Sequence, residues 1–383
     1  MDTDSKPQPE QHDAPMHSDP EYFPFFDVAG SPEEVGRSYG RQAGDYIHRS
    51  VAIYQNAFAQ KGVSWDRARQ VAREYAPLIE RYDKDFHQEL TAIAQGAELP
   101  FEDLVAINAR TELLYAQKPA PAGSDEDMDG CTAALALPEA TASGHTLHGQ
   151  NWDWRDECAD SSIILRVTPR KGPRMLIFVE AGILARCGMN SDGIAITGNF
   201  LQTDDEYGHQ GVPVPCIRRK VLGSRALGQA IRVVFDAPRT FSNNLMISQC
   251  DGEAVNLEAT PNEIFWSLPE RGLIVHANHF TSQGALAKVR DVGLETNTDS
   301  LYRDRRVRAR LSRNIGTLEV ADFQEAFADK YGSPRAVCRS PVTGPGGKTS
   351  STVATIVMDT TAKKMCIAKR PYEAARFAEY SLD

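Results

Sequence analysis

The residues best suited to chemistry in this chain gather around position 130. Asp129-Gly130-Cys131-Thr132-Ala133 puts a cysteine directly after a glycine, at the head of an apolar, strand-like run over residues 131–137. Gly149-Gln150-Asn151-Trp152-Asp153 then carries a carboxylate into the next run. Ahead of the cysteine, residues 119–129 are charged and show neither helical nor strand periodicity. A thiol in that position can attack the carbonyl of Gly130, because glycine lacks the β-carbon that would crowd a twisted backbone. The product is a thioester between Gly130 and Cys131, which water hydrolyses to release the upstream piece. The freed α-amino group has an ordinary pKa of about 8. It can take the thiol's own proton, as a threonine nucleophile uses its terminal amine. A cysteine on a strand is by itself ordinarily a small buried hydrophobe, so the surroundings carry this reading.

Those surroundings predict an α+β chain. Ser31-Pro32-Glu33-Glu34 starts a helix with a capping serine, a proline at the first helical position and a glutamate three residues after the cap. That helix is expected to run to about Gln60, where Gly62 stops it. Further helices are expected from Ser64, over residues 84–96 and over residues 101–116. After Cys131 short β-rich runs take over, at residues 132–137, 146–154, 162–167, 175–180 and 193–200, read as an antiparallel meander. A helix over 214–235 follows, then strands at 244–249, 254–259, 264–267 and 272–277. Helices over 299–313 and 320–330 and a hairpin of 351–358 with 364–368 close the chain. Helices before and between two runs of strands read as sheets covered by helices in one catalytic domain. The domain expectations are a disordered acidic tail over 1–26, a helical region over 27–130 and a nucleophile-bearing region over 131–383.

Composition limits the partners. The 383 residues carry a net charge of −10, which disfavours nucleic acid. No apolar run has the length of a membrane span. The seven cysteines are scattered and contain no C-x-x-C, so a reducing compartment is expected. The chain ends Ser381-Leu382-Asp383 rather than in a peroxisomal Ser-Lys-Leu signal. A cytoplasmic location is therefore the expectation.

The blocks around Cys131 and Asp153 resemble the isopenicillin N acyltransferase (acyl-CoA:6-aminopenicillanic acid acyltransferase) family of self-processing N-terminal-nucleophile cysteine enzymes. The resemblance continues in Asn108-Ala109-Arg110-Thr111-Glu112, Glu180-Ala181-Gly182-Ile183, Gly188-Met189-Asn190-Ser191-Asp192-Gly193, Val275-His276-Ala277-Asn278-His279 and Val337-Cys338-Arg339. It spans roughly residues 30–371. It implies an αββα sandwich, cleavage between Gly130 and Cys131, and Cys131 as both the self-cleaving and the catalytic nucleophile. It further implies that Asp153 holds the α-amino group or nearby polar groups, that Asn278 offers its side-chain amide to an oxyanion, and that Arg339 orients the site. The implied reaction moves an acyl group from an acyl-CoA or amide donor to a small amine through a Cys131 thioester, in secondary or amine metabolism. The two cleavage products are expected to stay associated. No cofactor is implied, with a coenzyme A thioester as candidate co-substrate.

Two other readings stand beside it: an amidohydrolase of small N-acyl amines such as β-alanyl amines, and an uncleaved, non-catalytic scaffold. The acidic extension, the longer loop before the cut and the missing peroxisomal signal point away from penicillin itself as the product.

Each residue also has a plainer role. Asp153 suits a strand-end carboxylate, Asn278 a structural amide, and Arg339, ahead of Ser340-Pro341, a surface cation. The glycines of Gly344-Pro345-Gly346-Gly347-Lys348-Thr349 miss the phosphate-loop spacing and precede a strand, so they read as a turn. His276 and His279 form an H-x-x-H with no third ligand nearby in sequence, which disfavours a metal. Trp152 and Trp154 suit the core or an acyl pocket. The arginines at 303, 305, 306, 308, 310 and 313 read as a solvated basic helix face, with contact to coenzyme A phosphates as a lesser reading.

Overall fold

Ser31 caps the first helix as its sequence predicts: its side chain accepts from the Glu34 amide while Glu34 reaches back to the Ser31 amide. A computed structural model of the chain describes residues 19–115, 130–206, 210–344 and 347–383. Residues 1–18 of the expected tail, the charged segment over 119–129 ahead of the expected cut and residues 345–346 of the glycine-rich turn lie outside the described residues. The single helix expected to reach Gln60 is two, Pro32–Gln42 and Gly44–Gln60, separated at Ala43. Glycine at 44 is a poor interior helix residue, and the break lets both helices lie on the sheet. Trp65–Tyr82, capped by Ser64, and Lys84–Gly96 complete most of this layer.

The end of the acidic tail is a correction. Phe23 is buried, its ring 4.9 Å from that of Phe178, and Phe25–Gly30 is a strand. That strand pairs in parallel with Ser162–Pro169. The aromatic cluster Tyr22-Phe23-Pro24-Phe25-Phe26 supplies apolar surface that orders this stretch, so the disorder expected over 1–26 does not extend to its end.

Among the described residues the strands form two sheets. The first runs Phe25–Gly30, Ser162–Pro169, Met175–Glu180, Cys187–Asn190, Ile194–Phe200, Asn243–Gln249, Glu253–Ala259, Ile264–Ser267 in spatial order. The second runs Leu273–His276, Thr132–Ala136, Leu147–Arg155, Thr349–Asp359, Lys364–Lys369, Phe377–Ser381, with Val342–Thr343 pairing to the long Thr349 strand. The meander expected to run unbroken from 132 to 200 is therefore divided. Its first two strands belong to the second sheet and the others to the first.

Side-chain alternation stacks the layers. Ile163, Leu165, Ile177 and Val179 pack with Tyr39, Ile47, Tyr54 and Phe58 of the N-terminal helices. Ile164, Leu176 and Phe178, on the opposite face, meet Trp152, Ile356, Met358 and Ile367 of the second sheet. That sheet's far side, with Ala134, Leu147 and Val357, is covered by Val307, Leu311, Phe323 and Phe327 of helices Ser300–Leu311 and Val320–Phe327. The result is a four-layer αββα sandwich, and both faces of each sheet are buried.

Helix Pro32–Gln42 crosses Lys84–Gly96 at close quarters through glycine. A β-carbon on Gly40 would overlap the carbonyl oxygen of Ile93 and approach the Ala97 amide. Gly40→Ala is therefore expected to push the two helices apart and destabilise the protein by about 1–3 kcal/mol, read as a lower urea midpoint with an unchanged m-value.

Candidate active site

Cys131 lies one residue before strand Thr132–Ala136, which is hydrogen-bonded between Leu147–Arg155 and Leu273–His276. Its side chain is fully buried. The sulfur is 3.8 Å from the Asp153 carbonyl oxygen, and Arg186 Nη2 approaches it to 3.5 Å.

The backbone at the cysteine is held by an arginine that the sequence reading put in solvent. Arg303 has 0% exposure. Its Nη1 donates to the carbonyl of Gly130, to that of Cys131 at 2.7 Å and to Thr132 Oγ1 at 2.9 Å. Its Nε donates to Asp299 Oδ2 at 2.7 Å and its Nη2 to Asn278 Oδ1 at 3.1 Å. The solvated-face expectation is thus corrected for this residue. Ser300, Arg303, Val307 and Leu311 form the buried stripe of their helix. Their spacing of three or four residues was the available signal that Arg303 points inward with Val307 and Leu311. Its neighbours differ: Arg306 and Arg310 both ion-pair with Asp329, at 2.6 and 2.8 Å.

Asp299 also receives Arg339, whose Nη2 binds the same Oδ2. Arg339 Nε sits 3.1 Å from Asp153 Oδ2. Thr352 Oγ1 donates to Asp153 Oδ1 at 2.6 Å and accepts from the Arg339 amide at 2.8 Å. Thr352 pairs with Asp153 across the sheet, and the register shifts between Thr352 and Ala354. Bulges of this kind re-aim side chains beside functional sites.

The structure therefore joins Cys131, Asp153, Asn278 and Arg339 through Arg303 and Asp299. The surface-cation reading of Arg339 is overturned, since the side chain is 6% exposed between two carboxylates. Asn278 stands at one remove from the sulfur. Its Nδ2 donates to the Phe200 carbonyl at 3.0 Å and its backbone amide to Ser300 Oγ at 2.7 Å.

Gly130 is sterically specified. A β-carbon there would fall on the Arg339 guanidinium, within overlap of Cζ and 2.5 Å from Nε. Burial pushes the Cys338 thiol, beside Arg339, up to about 12. Among the described residues no group of three His, Cys, Asp or Glu side chains could hold a metal ion. His276 is instead paired to Glu258 at 2.9 Å.

A family model described as acyl-coenzyme A:6-aminopenicillanic acid acyl-transferase matches residues 140–370. The chain belongs to this family. The match includes Asp153, Asn278, Arg303 and Arg339 and begins after Cys131. The chain is 28% identical over 342 residues to an acyl-coenzyme A:6-aminopenicillanic-acid-acyltransferase 40 kDa form from Emericella nidulans, covering 88% of this chain and 90% of the relative. It is also similar to the solved conjugated bile acid hydrolase from Clostridium perfringens (TM-score 0.48, 16% identity, 66% of this chain and 92% of that chain). A second similar structure is penicillin V acylase from Agrobacterium tumefaciens (TM-score 0.39, 13% identity, 66% of this chain and 86% of that chain). Membership of the acyl-transferase family places the chain broadly among enzymes of acyl transfer.

Arg186, whose Nη2 lies 3.5 Å from the sulfur, also lines an open cleft with Trp152, Trp154, Arg218, Phe200 and Tyr115 among its other walls. Trp154 is fixed there by its Nε1 donating to Tyr54 Oη at 3.0 Å. Sequence reasoning named the two tryptophans but missed Arg186, Asp299, Arg303 and Thr352. These come from separate segments, so no local motif marks them.

The turn that carries Asn278 is sensitive to acid. Ser300 Oγ accepts from the Asn278 amide, so its proton points to His279 Nδ1, 2.7 Å away, which must be neutral to accept it. Burial, with the positive charges of His276 and Arg303, lowers His279 to about 4. An unfolded histidine takes its proton near pH ~6.5. The stabilisation is therefore complete above that value and is lost as pH falls toward 4. His279→Asn is expected to flatten the dependence of unfolding free energy on pH across this window, measured by urea titrations at several pH values.

Proposed function

We propose that the chain cuts itself between Gly130 and Cys131 and that Cys131 then carries acyl groups from a donor to a small amine. The observation that carries this reading is the hold of the buried Arg303 guanidinium on the Gly130 carbonyl. Attack by the Cys131 sulfur on that carbonyl carbon moves its π electrons onto oxygen, where Arg303 Nη1 already donates. Loss of a single such donor from an oxyanion site lowers rates by roughly a hundred- to a thousand-fold. The carbon–nitrogen bond then breaks and the nitrogen takes up a proton, leaving a thioester from Gly130 to the sulfur. Water adds to that thioester, releasing Gly130 as a carboxylate and restoring the thiol.

In the uncut chain the sulfur is fully buried, so an external carbonyl can reach it only after the peptide ahead of it withdraws. The new α-amino group of Cys131 then serves as base for the thiol. Asp153, fixed by Arg339 and Thr352, holds polar groups next to that terminus. Asn278 belongs to the oxyanion side once its amide leaves Phe200. Arg186 places positive charge 3.5 Å from the sulfur, where a thiolate develops. The donor is an acyl-CoA or an amide, and water in place of the amine gives hydrolysis. The two fragments stay together, because Phe25–Gly30 is paired to Ser162–Pro169 and the N-terminal helices share the core of the first sheet.

No described helix is long and apolar enough to cross a membrane. Location in the cytoplasm remains part of the proposal.

Intact-mass analysis tests the cut. Wild type is expected to give fragments 1–130 and 131–383, and Cys131→Ala only the full chain. Gly130→Ala, by displacing Arg339 from Asp153, is expected to slow cleavage while the protein still folds by circular dichroism. Full-length wild type with no chain beginning at Cys131 would sink the reading. Incubation of cleaved protein with labelled acyl-CoA and a panel of amines separates transfer from hydrolysis. Amide product marks the first, and free acid at every amine concentration marks the second.

A further inference from the structure

Two arginines that line the cleft, one of them 3.5 Å from the Cys131 sulfur, carry charge that no described carboxylate pairs with. Arg186 is 3% exposed and Arg218 is 7% exposed. Among the described residues neither forms an ion pair, and the Nε of each is buried without a hydrogen-bond partner. Their remaining contacts are weak or neutral. Arg186 reaches Gln150 Oε1 at 3.4 Å and lies 4.3 Å from the Trp152 ring centre. Arg218 donates to Asn243 Oδ1 at 3.0 Å.

Of the nearby carboxylates among the described residues, Glu112 feels the charge of Arg218 without forming an ion pair with it, and its Oε2 is buried without a hydrogen-bond partner. Glu180 pairs with Arg110 at 2.6 Å. Glu112 accepts from the Val214 amide, and burial pushes it up to about 7. Burial, with Arg186 and Arg110 close by, lowers Arg218 to about 9, which is how a cation lacking its counter-charge behaves. A buried charge of this kind is costly unless something pairs with it. The space Arg218 occupies is also built: a β-carbon on Gly198 would lie 2.5 Å from its Nη2.

We propose that Arg186 and Arg218 form a carboxylate-binding subsite, so that the substrate is a small anion with an apolar or aromatic body lying against Trp152, Phe200 and Tyr115. Because Arg186 also touches the nucleophilic sulfur, that carboxylate stands only a few bonds from the carbonyl being attacked. This excludes the phosphates of coenzyme A as its occupant, since the pantetheine arm holds them far from the thioester. The guanidinium fork suits a carboxylate's two oxygens, and the aromatic walls suit the rest of the molecule. The subsite deepens the acyl-transfer reading and rests on it only for the direction in which the ligand lies.

Calorimetric titration of the purified protein with phenylacetate and with phenylacetamide tests it. Wild type is expected to bind phenylacetate at least about tenfold more tightly than the amide. Arg218→Gln should abolish that preference, and Arg218→Lys should keep part of it. Equal or absent binding of the two ligands by wild type overturns the proposal without reference to any variant. So does an undiminished preference in a folded Arg218→Gln protein. Titration with N-phenylacetylglycine and N-succinylaniline, each beside its carboxamide twin, then shows whether the carboxylate belongs to the amine or the acyl portion; no preference in either pair also counts against the subsite. Intact mass of the same samples is read separately. An uncut wild type removes the self-cleavage reading, while the calorimetry still decides the subsite.

Discussion

The whole site depends on one buried cation. Arg303 brings the carbonyls of Gly130 and Cys131 and the hydroxyl of Thr132 to a single nitrogen, while its other nitrogens are fixed by Asp299 and Asn278. A charge buried to this degree is tolerated only with close partners. Here the partner is Asp299, which is shared with Arg339, which in turn meets Asp153. Alternating charges along this chain offset one another's desolvation. Their net contribution to stability is small for the same reason, and their consequence is positional. The peptide before Cys131 has one place to lie, and glycine is the residue that fits between it and Arg339.

A single strand supplies both sides of this arrangement. Along Leu147–Arg155 side chains alternate between faces. His148, Gln150, Trp152 and Trp154 point toward the first sheet. His148 bonds to Ser248 and Thr197, and Gln150 to Gly198 and Asn199. Burial lowers His148 to about 3, so it stays neutral and serves as a polar tie between the sheets. Asn151 and Asp153 point the other way, Asn151 to the Phe327 and Val337 carbonyls and Asp153 to Thr352 and Arg339. The even positions thus shape the cleft and the odd positions anchor the charge array. A slip of one residue in register would exchange the two.

This explains what could be read in advance. Helix Lys84–Gly96 and strands Met175–Glu180 and Ile264–Ser267 have the bounds that local pattern assigns them, because their punctuation is local: an aspartate cap, a proline-containing turn, a glycine. Cys131, Asp153, Asn278 and Arg339 stood out because short ordered blocks surround them. Arg303 and Asp299 did not, since arginine-rich helices usually face water and only tertiary packing decides which one turns inward. The parallel pairing of Phe25–Gly30 with Ser162–Pro169 was equally hidden. A strand whose partner lies more than a hundred residues away leaves no periodic trace of that partner.

The two sides of the sulfur differ in how their charge is balanced, and in the proposed function that difference separates the self-cleavage from the acyl transfer. On the side of the cut, Arg303 and Arg339 are matched by Asp299 and Asp153, so nothing further is required for the Gly130 carbonyl to be held. On the cleft side, Arg186 and Arg218 face Gln150, Asn243, aromatic rings and the Cys131 sulfur, and among the described residues no carboxylate pairs with either. A site whose charges are complete within the chain can act once, on the chain itself, without a ligand. A site left with two buried cations is complete only with an anion from outside, and turnover requires that this anion leave again. Under the proposed function the same sulfur serves an intramolecular cut and repeated acyl transfer, because the counter-charge for the first is built in and that for the second would arrive with each substrate.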